Sequence, residues 1–319
     1  MTETITPDLE TKFMVDPYLN WVKAEGALIH HGATLDLLSL DLRDWTRFGM
    51  KGAVCHVDGR CDFLTAFLFE LSPHQQSVPQ KHVYEEVFYA LAGTGKTLIT
   101  LSSGEVRHIE WGPKTLFAVP VNAKAQHTAG SAPARFVSLN NFRYLMGLYR
   151  NESFLFGNGS AMTKRQDAAV KSGLSVNTAA YPPSSDEMSA IALADMSLGV
   201  DLTALAPKSA TLARRQMQGR HILGVDGIGY SLSFANVTSP ILRTDWQHGT
   251  LSGLTGMQFH QHVNAGATPA RFISVELGSH SSPMFRSRRA AYGDNKVYAS
   301  GAAVIPKSEE RAEILKFLP

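Results

Sequence analysis

The stretch "PQKHVYEEVFYALAGTG", Pro79–Gly95, decides how the chain is read. It runs into Gly95-Lys96-Thr97, which looks like the end of a phosphate-binding loop, and it carries a His and two Glu that look like metal ligands. A phosphate loop needs glycine five residues before the Gly-Lys-Thr glycine. Position 90 is Ala90, and Val87–Ala92 is apolar and aromatic like a strand. Gly93-Thr94-Gly95 is therefore expected to be a turn between two strands.

In an extended strand, side chains two apart share a face. Gln80, His82, Tyr84 and Glu86 would then face one way, and Lys81, Val83 and Glu85 outward. One face would carry an amide oxygen, an imidazole, a phenol and a carboxylate, donors suited to Fe, Mn, Ni, Co or Zn. A buried carboxylate beside a His is costly unless something compensates it, and a metal would. His127, at the start of a strand after the Pro120-Val121-Asn122 turn, is the candidate further ligand. Tyr84 is the candidate proton carrier.

Working outward, the chain resembles itself. "GTGKTLIT" at Gly93 matches "GIGYSLSF" at Gly227, "IEWGPKTL" around Trp111 matches "TDWQHGTL" around Trp246, and "APARFVSL" around Arg135 matches "TPARFISV" around Arg271. The three matches keep one order and nearly one offset, which implies a duplicated unit of roughly 100 residues. Each copy has short β-rich runs separated by turn residues, the pattern of a sandwich or barrel. Helix is expected at the edges, over Pro17–Ala24 and Ser308–Phe317, and around Asp186–Asp195. Asn151–Leu198, rich in Ser, Asn, Gly and Pro, is expected to be a linker.

These residues resemble the cupin family. "QKHVYEEVFYALAG" is similar to its first motif, with Gln80 where the first His usually stands, then His82, Glu86 and Gly93. "GPKTLFAVPVNAKAQH" is similar to the second, with Gly112, Pro120 and His127, though the Pro-to-His spacing is stretched and the terminal Asn is missing. Together with the repeat, the resemblance implies an all-β bicupin of two tandem jelly-roll barrels with short flanking helices. It covers about residues 50–145 and 205–280. It divides the chain into an N-terminal segment (1–50), a first barrel with the metal site (51–150), a linker (151–200), a second barrel (201–285) and a tail (286–319). It implies one divalent metal on His82, Glu86 and His127, joined by Gln80. Fe(II) is expected, with Mn, Ni or Zn as alternatives.

The second copy departs from that ligand set. The repeat offset carries Gln80 to Arg214, His82 to Gln216 and Glu86 to Arg220, and arginine stays protonated and cannot ligate. "MQFHQHVNAGATPARF" keeps the H-x3-N spacing with His260 and Asn264, and a three-His site on His221, His260 and His262 is the alternative for this copy. The expectation is a degenerate barrel that supports the fold and a dimer interface. The family implies dioxygenases, lyases, isomerases and binding proteins on one scaffold. The expected function is an Fe(II) dioxygenase for a small oxygenated or aromatic compound, gentisate-dioxygenase-like in architecture only, with a non-redox lyase or isomerase and a storage-type binding protein as alternatives. Phe67, Phe69, Phe88, Phe117 and Phe136 are candidates to line the pocket.

Composition bounds the rest. The 319 residues are 44% hydrophobic and 18% charged, as in a globular chain. A net charge of +2 is too weak to argue for nucleic acid or an anionic membrane. With no leader at Met1–Glu10 and no long apolar run, a soluble, cytoplasmic homo-oligomer acting on a small molecule is expected. Asp58-Gly59 predicts a two-residue hairpin pairing Cys55 with Asp62, which leaves Cys55 and Cys61 out of register as free thiols.

Overall fold

A computed structural model describes residues 16–58, 63–157, 163–181, 188–211, 213–215, 219–236 and 239–278. Its architecture is two β-barrels, each a pair of facing sheets. Helix α1 (Pro17–Glu25) precedes strands β1 (Leu28–Gly32), β2 (Thr34–Asp36) and β3 (Arg43–Trp45). The first barrel follows with β4 (Met50–Val57), β5 (Thr65–Leu71), β6 (Gln80–Lys81), β7 (Glu86–Ala92), β8 (Gly95–Thr100), β9 (Val106–Trp111), β10 (Thr115–Ala118), β11 (Lys124–Ala129) and β12 (Ala134–Asn140). Helices α2 (Phe142–Tyr149), α3 (Glu152–Leu155) and α4 (Thr163–Ser172), then β13 (Ser175–Asn177) and β14 (Met188–Ala190), lead to the second barrel. That barrel holds β15 (Leu198–Leu205), β16 (Ser209–Ala210), β17 (Arg214–Arg215), β18 (Arg220–Asp226), β19 (Ile228–Phe234), β20 (Leu242–Gln247), β21 (Thr250–Leu254), β22 (Phe259–Asn264) and β23 (Ala270–Leu277).

The large sheet of the first barrel runs β1-β4-β5-β12-β7-β10-β13 and its small sheet β6-β11-β8-β9. The second barrel repeats this as β14-β15-β23-β18-β21-β2 and β16-β22-β19-β20. The repeat seen in the sequence is thus a repeat of strands, β7–β12 against β18–β23. Gly93 sits in the β7–β8 turn with φ 72, in the left-handed region glycine tolerates.

The two large sheets bury their outer faces together. Val87, Tyr89 and Leu91 of β7 share one apolar cluster with Leu198, Val200, Leu223, Val225 and Ile273 of the second barrel. β2, from the N-terminal segment, pairs with β21 and so crosses to the second barrel. The interior of the first barrel is aromatic, with Phe88, Trp111, Phe117 and Phe136 in one cluster. Helix α1 caps that barrel. Asp16 accepts from the Tyr18 and Leu19 amides, Pro17 starts the first turn and Gly26 closes the helix in the left-handed region. Its Tyr18, Trp21 and Val22 are buried. Among the described residues no helix is long and apolar enough to cross a membrane.

Four expectations need correction. No helix forms over residues 188–195, the described part of the stretch expected to be helical: Met188–Ala190 pairs with Thr203–Asp201 as β14, because the edge of β15 offers partners and Ile191 and Leu193 bury as alternating residues do. The stretch taken as linker holds α3 and α4, and α4 is docked by Gln166, which accepts from the Ser102 amide and donates to the Val121 carbonyl. Cys55 pairs with Ala66, not Asp62, so the hairpin loop is longer than two residues. Glu85 does not face solvent; it is 4% exposed. Its carboxylate accepts from the Ser197 amide (3.0 Å), the Ser197 hydroxyl (2.5 Å), the Leu198 amide (3.2 Å) and Arg165, anchoring the entry to β15. The expected helix Ser308–Phe317, Cys61 and Gln216 lie outside the described residues, and Arg214 is described by its backbone alone.

Candidate metal centre in the first barrel

β6 ends at Lys81 and β7 begins at Glu86, with a bend between them. The bend turns His82 and Glu86 toward each other, so that His82 Nε2 lies 2.6 Å from Glu86 Oε1. Both residues are 5% exposed. His82 Nδ1 is 3.0 Å from the Tyr84 carbonyl, which can only accept, so Nδ1 carries a proton. At 2.6 Å a proton must also lie between Nε2 and the carboxylate. A divalent cation would take the place of that proton. Ligating histidines commonly donate their other ring N–H to a backbone carbonyl, which is what His82 does.

Glu86 is braced from behind. Its Oε2 accepts from Ser138 Oγ (2.8 Å), and Ser138 Oγ accepts from Asn140 Nδ2 (3.0 Å). Asn140 Oδ1 in turn accepts from the Phe142 amide at the start of α2 (3.1 Å). The carboxylate therefore has one oxygen fixed and one directed at His82.

Tyr84 lies with its ring stacked on His82, centroids 3.6 Å apart and planes 7° apart. Burial, with Glu86 adding to it, pushes its phenol well above the ordinary range, so it stays neutral. Its position between His82 and the rings of Phe142 and Phe156 supports the imidazole. Gln80 is not brought to the pair. Its amide donates to the carbonyls of Arg47 (2.8 Å) and Val78 (3.3 Å), beside a 580 Å³ surface cleft that Glu25, Arg47 and Phe156 also line.

His127, on β11, is 4% exposed and ringed by Phe88, Phe136 and Phe117 at 5.0, 5.2 and 6.2 Å. Burial holds its pKa down, at about 4, and Glu86 and His82 are the charged groups that act on it. Its Nδ1 is 2.8 Å from Thr97 Oγ1. Of the aromatic residues expected around a pocket, Phe88, Phe117 and Phe136 surround His127, whereas Phe67 and Phe69 pack under Trp45 and Phe48. Among the described residues no group of three or more His, Cys, Asp or Glu converges closely enough to hold a metal ion. What is assembled is a pair, His82 and Glu86, with His127 as its third electrostatic member.

Among its described residues the second barrel has no such pair. Arg220 stands where Glu86 does: Glu86 is in register with Asn140, and Arg220 with Glu276. Arg220 Nη1 reaches Asp201 and the Ser274 hydroxyl at 3.3 Å, and Nη2 reaches Glu276 at 2.8 Å. The registers make Asp201 the counterpart of Phe67, Ser274 of Ser138 and Glu276 of Asn140. The three histidines do not meet. His221 alternates with Arg220 on β18 and so faces the contact between barrels, where His56 is the charge that acts on it. His260 has both nitrogens engaged, by Ser233 Oγ at 3.0 Å and the Thr255 carbonyl at 2.8 Å. The counterpart of His127 is His262, not His260: Thr97 pairs with His127 and Ser231 with His262.

Sequence reasoning missed Thr97, Ser138 and Glu85. Thr97 had a signal, because it and Ser231 hold one place in the repeat "GTGKTLIT"/"GIGYSLSF".

No known family's sequence profile matches the chain, and no curated protein matches it in sequence. Solved structures do. A structure of Bacillus subtilis oxalate decarboxylase, from work on its Mn(II) centres, superposes with a TM-score of 0.56 at 13% identity, over 86% of this chain and 87% of that one. The two barrels match together, over most of both chains. The fold is that of the bicupins. Two further structures of the same enzyme agree: one from work on its substrate binding mode (TM-score 0.56, 13% identity, 86% and 87% covered), and one at pH 4.6 (0.56, 13%, 86% and 86%). At this identity the likeness establishes the bicupin architecture. The chain's own residues must carry the rest.

Proposed function

We propose that the chain is a metal-dependent enzyme whose first barrel acts on a small molecule bearing a carbonyl or carboxylate oxygen. The observation that carries this reading is the buried His82–Glu86 contact at 2.6 Å, with each partner fixed from behind. His82 Nε2 and Glu86 Oε1 would hold a divalent cation, which when bound would supply Lewis-acid polarisation of a substrate oxygen. Tyr84 keeps the His82 ring in orientation, and Ser138 keeps the Glu86 carboxylate. Phe88, Phe117 and Phe136 keep water out, which strengthens each polar interaction inside. The second barrel, its charges paired around Arg220, supports the fold.

For the reaction class, a non-redox lyase is the reading favoured, with Mn(II) as the ion to test first. Its support is the likeness to a decarboxylase studied for its Mn(II) centres. The Fe(II) dioxygenase expected from the sequence stands second, supported by a donor pair that leaves several positions for substrate and O₂. Loading the protein with Mn(II) or Fe(II) and offering a panel of small oxo- and hydroxy-carboxylic acids decides between them. Turnover without oxygen consumption supports the lyase; stoichiometric O₂ uptake overturns it in favour of the dioxygenase. A homodimer remains part of the proposal, and sedimentation tests it.

A further inference from the structure

Thr97 is fully buried, and its hydroxyl has two partners. Trp111 Nε1 lies 2.9 Å from Thr97 Oγ1, and His127 Nδ1 lies 2.8 Å from it. An indole N–H only donates, so Trp111 takes a lone pair of the hydroxyl. The proton of the hydroxyl then has one acceptor, His127 Nδ1. A neutral imidazole whose Nδ1 accepts carries its proton on Nε2. The opposite arrangement would strand a buried hydroxyl proton with no acceptor, which folded proteins rarely allow.

The seat of this chain of donors is built into the backbone. A Cβ on Gly95 would lie 2.4 Å from the Trp111 ring, so only glycine lets the indole lie against β8. The second barrel repeats the whole device. Gly229 seats Trp246 at the same 2.4 Å, Trp246 Nε1 donates to Ser231 Oγ at 3.2 Å, and Ser231 Oγ meets His262 Nδ1 at 2.8 Å. There Arg220 replaces the Glu, so the device persists where a Glu-based ligand set does not. Its role is to fix which nitrogen of the His carries the proton.

We infer that His127 serves the first barrel as a hydrogen-bond donor, presenting Nε2–H to an oxygen of the substrate, and not as a third metal ligand. This rests on the reading of His82 and Glu86 as the metal-holding pair. Thr97 and Trp111 are then positioning residues. The substrate class follows: a small molecule whose carbonyl or carboxylate oxygen accepts from His127 while a neighbouring oxygen meets the metal.

Two measurements on the full chain test it. In metal-free, ¹⁵N-histidine-labelled protein at neutral pH, the His127 signal (assigned by its loss in His127→Gln) is expected to show the Nε2–H form. Thr97→Ser is expected to keep that form and Thr97→Val to lose the preference. A wild-type Nδ1–H form would overturn the inference. In Mn(II) titrations, His127→Gln, whose amide can still donate, is expected to bind within about threefold of wild type, while His82→Ala weakens binding by about a hundredfold or more. Acetate binding to the Mn(II)-loaded protein is expected to weaken about tenfold in His127→Ala, the loss of one hydrogen bond to a charged group. Loss of metal in His127→Gln as complete as in His82→Ala would overturn the inference. If wild-type protein takes up no metal, the proposed function fails on its own, and the tautomer in the metal-free protein still decides the role of Thr97.

Discussion

Glu86 and Arg220 occupy the same place in the two barrels, and the residues around them have changed to match. Glu86 has Ser138, Asn140 and the ring of Phe67 on the neighbouring strands; Arg220 has Ser274, Glu276 and Asp201 at the corresponding positions. The first barrel has a buried carboxylate that meets a His, and the second a buried guanidinium that meets two carboxylates. Each meets the cost of buried charge differently, one by a His–carboxylate contact and the other by an internal ion-pair cluster.

Arg220→Met should therefore be strongly destabilising, because Asp201 and Glu276 would stay buried without their cation. The expected loss is about 3–5 kcal/mol, measured by urea unfolding. Arg220→Met combined with Asp201→Phe and Glu276→Asn, the residues of the first barrel, should recover most of it. A single variant within about 0.5 kcal/mol of wild type, the ordinary scale of a surface change, would show that the cluster contributes nothing.

Glu85→Ala should loosen the entry to β15. It leaves the Ser197 and Leu198 amides without their acceptor. A loss of about 2–4 kcal/mol is expected. Hydrogen exchange should quicken at Ser197 and Leu198 before it does in β7. Unchanged exchange there would refute the anchoring role.

Acid should destabilise the protein before its carboxylates titrate. Burial lowers the pKa of His221 and His260 to about 4, against about 6.5 in an unfolded chain. Between those values the unfolded state binds more protons than the native state, so stability present above pH ~6.5 is lost as the pH falls toward 4, by up to about 1.4 kcal/mol per pH unit for each His. His221 is the cleaner probe, since its Nδ1 is buried with no hydrogen-bond partner. His221→Leu, at the place Val87 holds in the first barrel, should flatten the pH dependence of the melting temperature between pH 6.5 and 4.5 (~2 pH units, the window set by the two pKa values). An unchanged slope would mean that His221 does not titrate on unfolding.

The barrels were legible in the sequence because duplication and period-two patterning are local signals. The Gly93–Gly95 turn, the Glu86-to-Arg220 exchange and a helix beginning at Pro17 follow from short-range sequence signals. The site was legible only in part. Strict alternation put Glu85 in solvent, but the bend over His82–Glu85 breaks the alternation and buries both Glu85 and Glu86. Gln80 was carried inward by the motif, yet Arg47 and Val78 hold its amide at the rim. The partner of His127 was set by register: β22 aligns His262, and not the better-spaced His260, with the Thr97 counterpart Ser231. No short-range pattern encodes such a register.

The central claim is one cation held by His82 and Glu86 in the first barrel. Titration of metal-free protein with Mn(II), followed by elemental analysis after desalting, tests it most directly. The account predicts saturation at one equivalent per chain, lost in His82→Ala and in Glu86→Gln and unchanged in His260→Ala. No uptake of Mn, Fe, Co or Zn by the wild type, or a second equivalent abolished by His260→Ala, would contradict it.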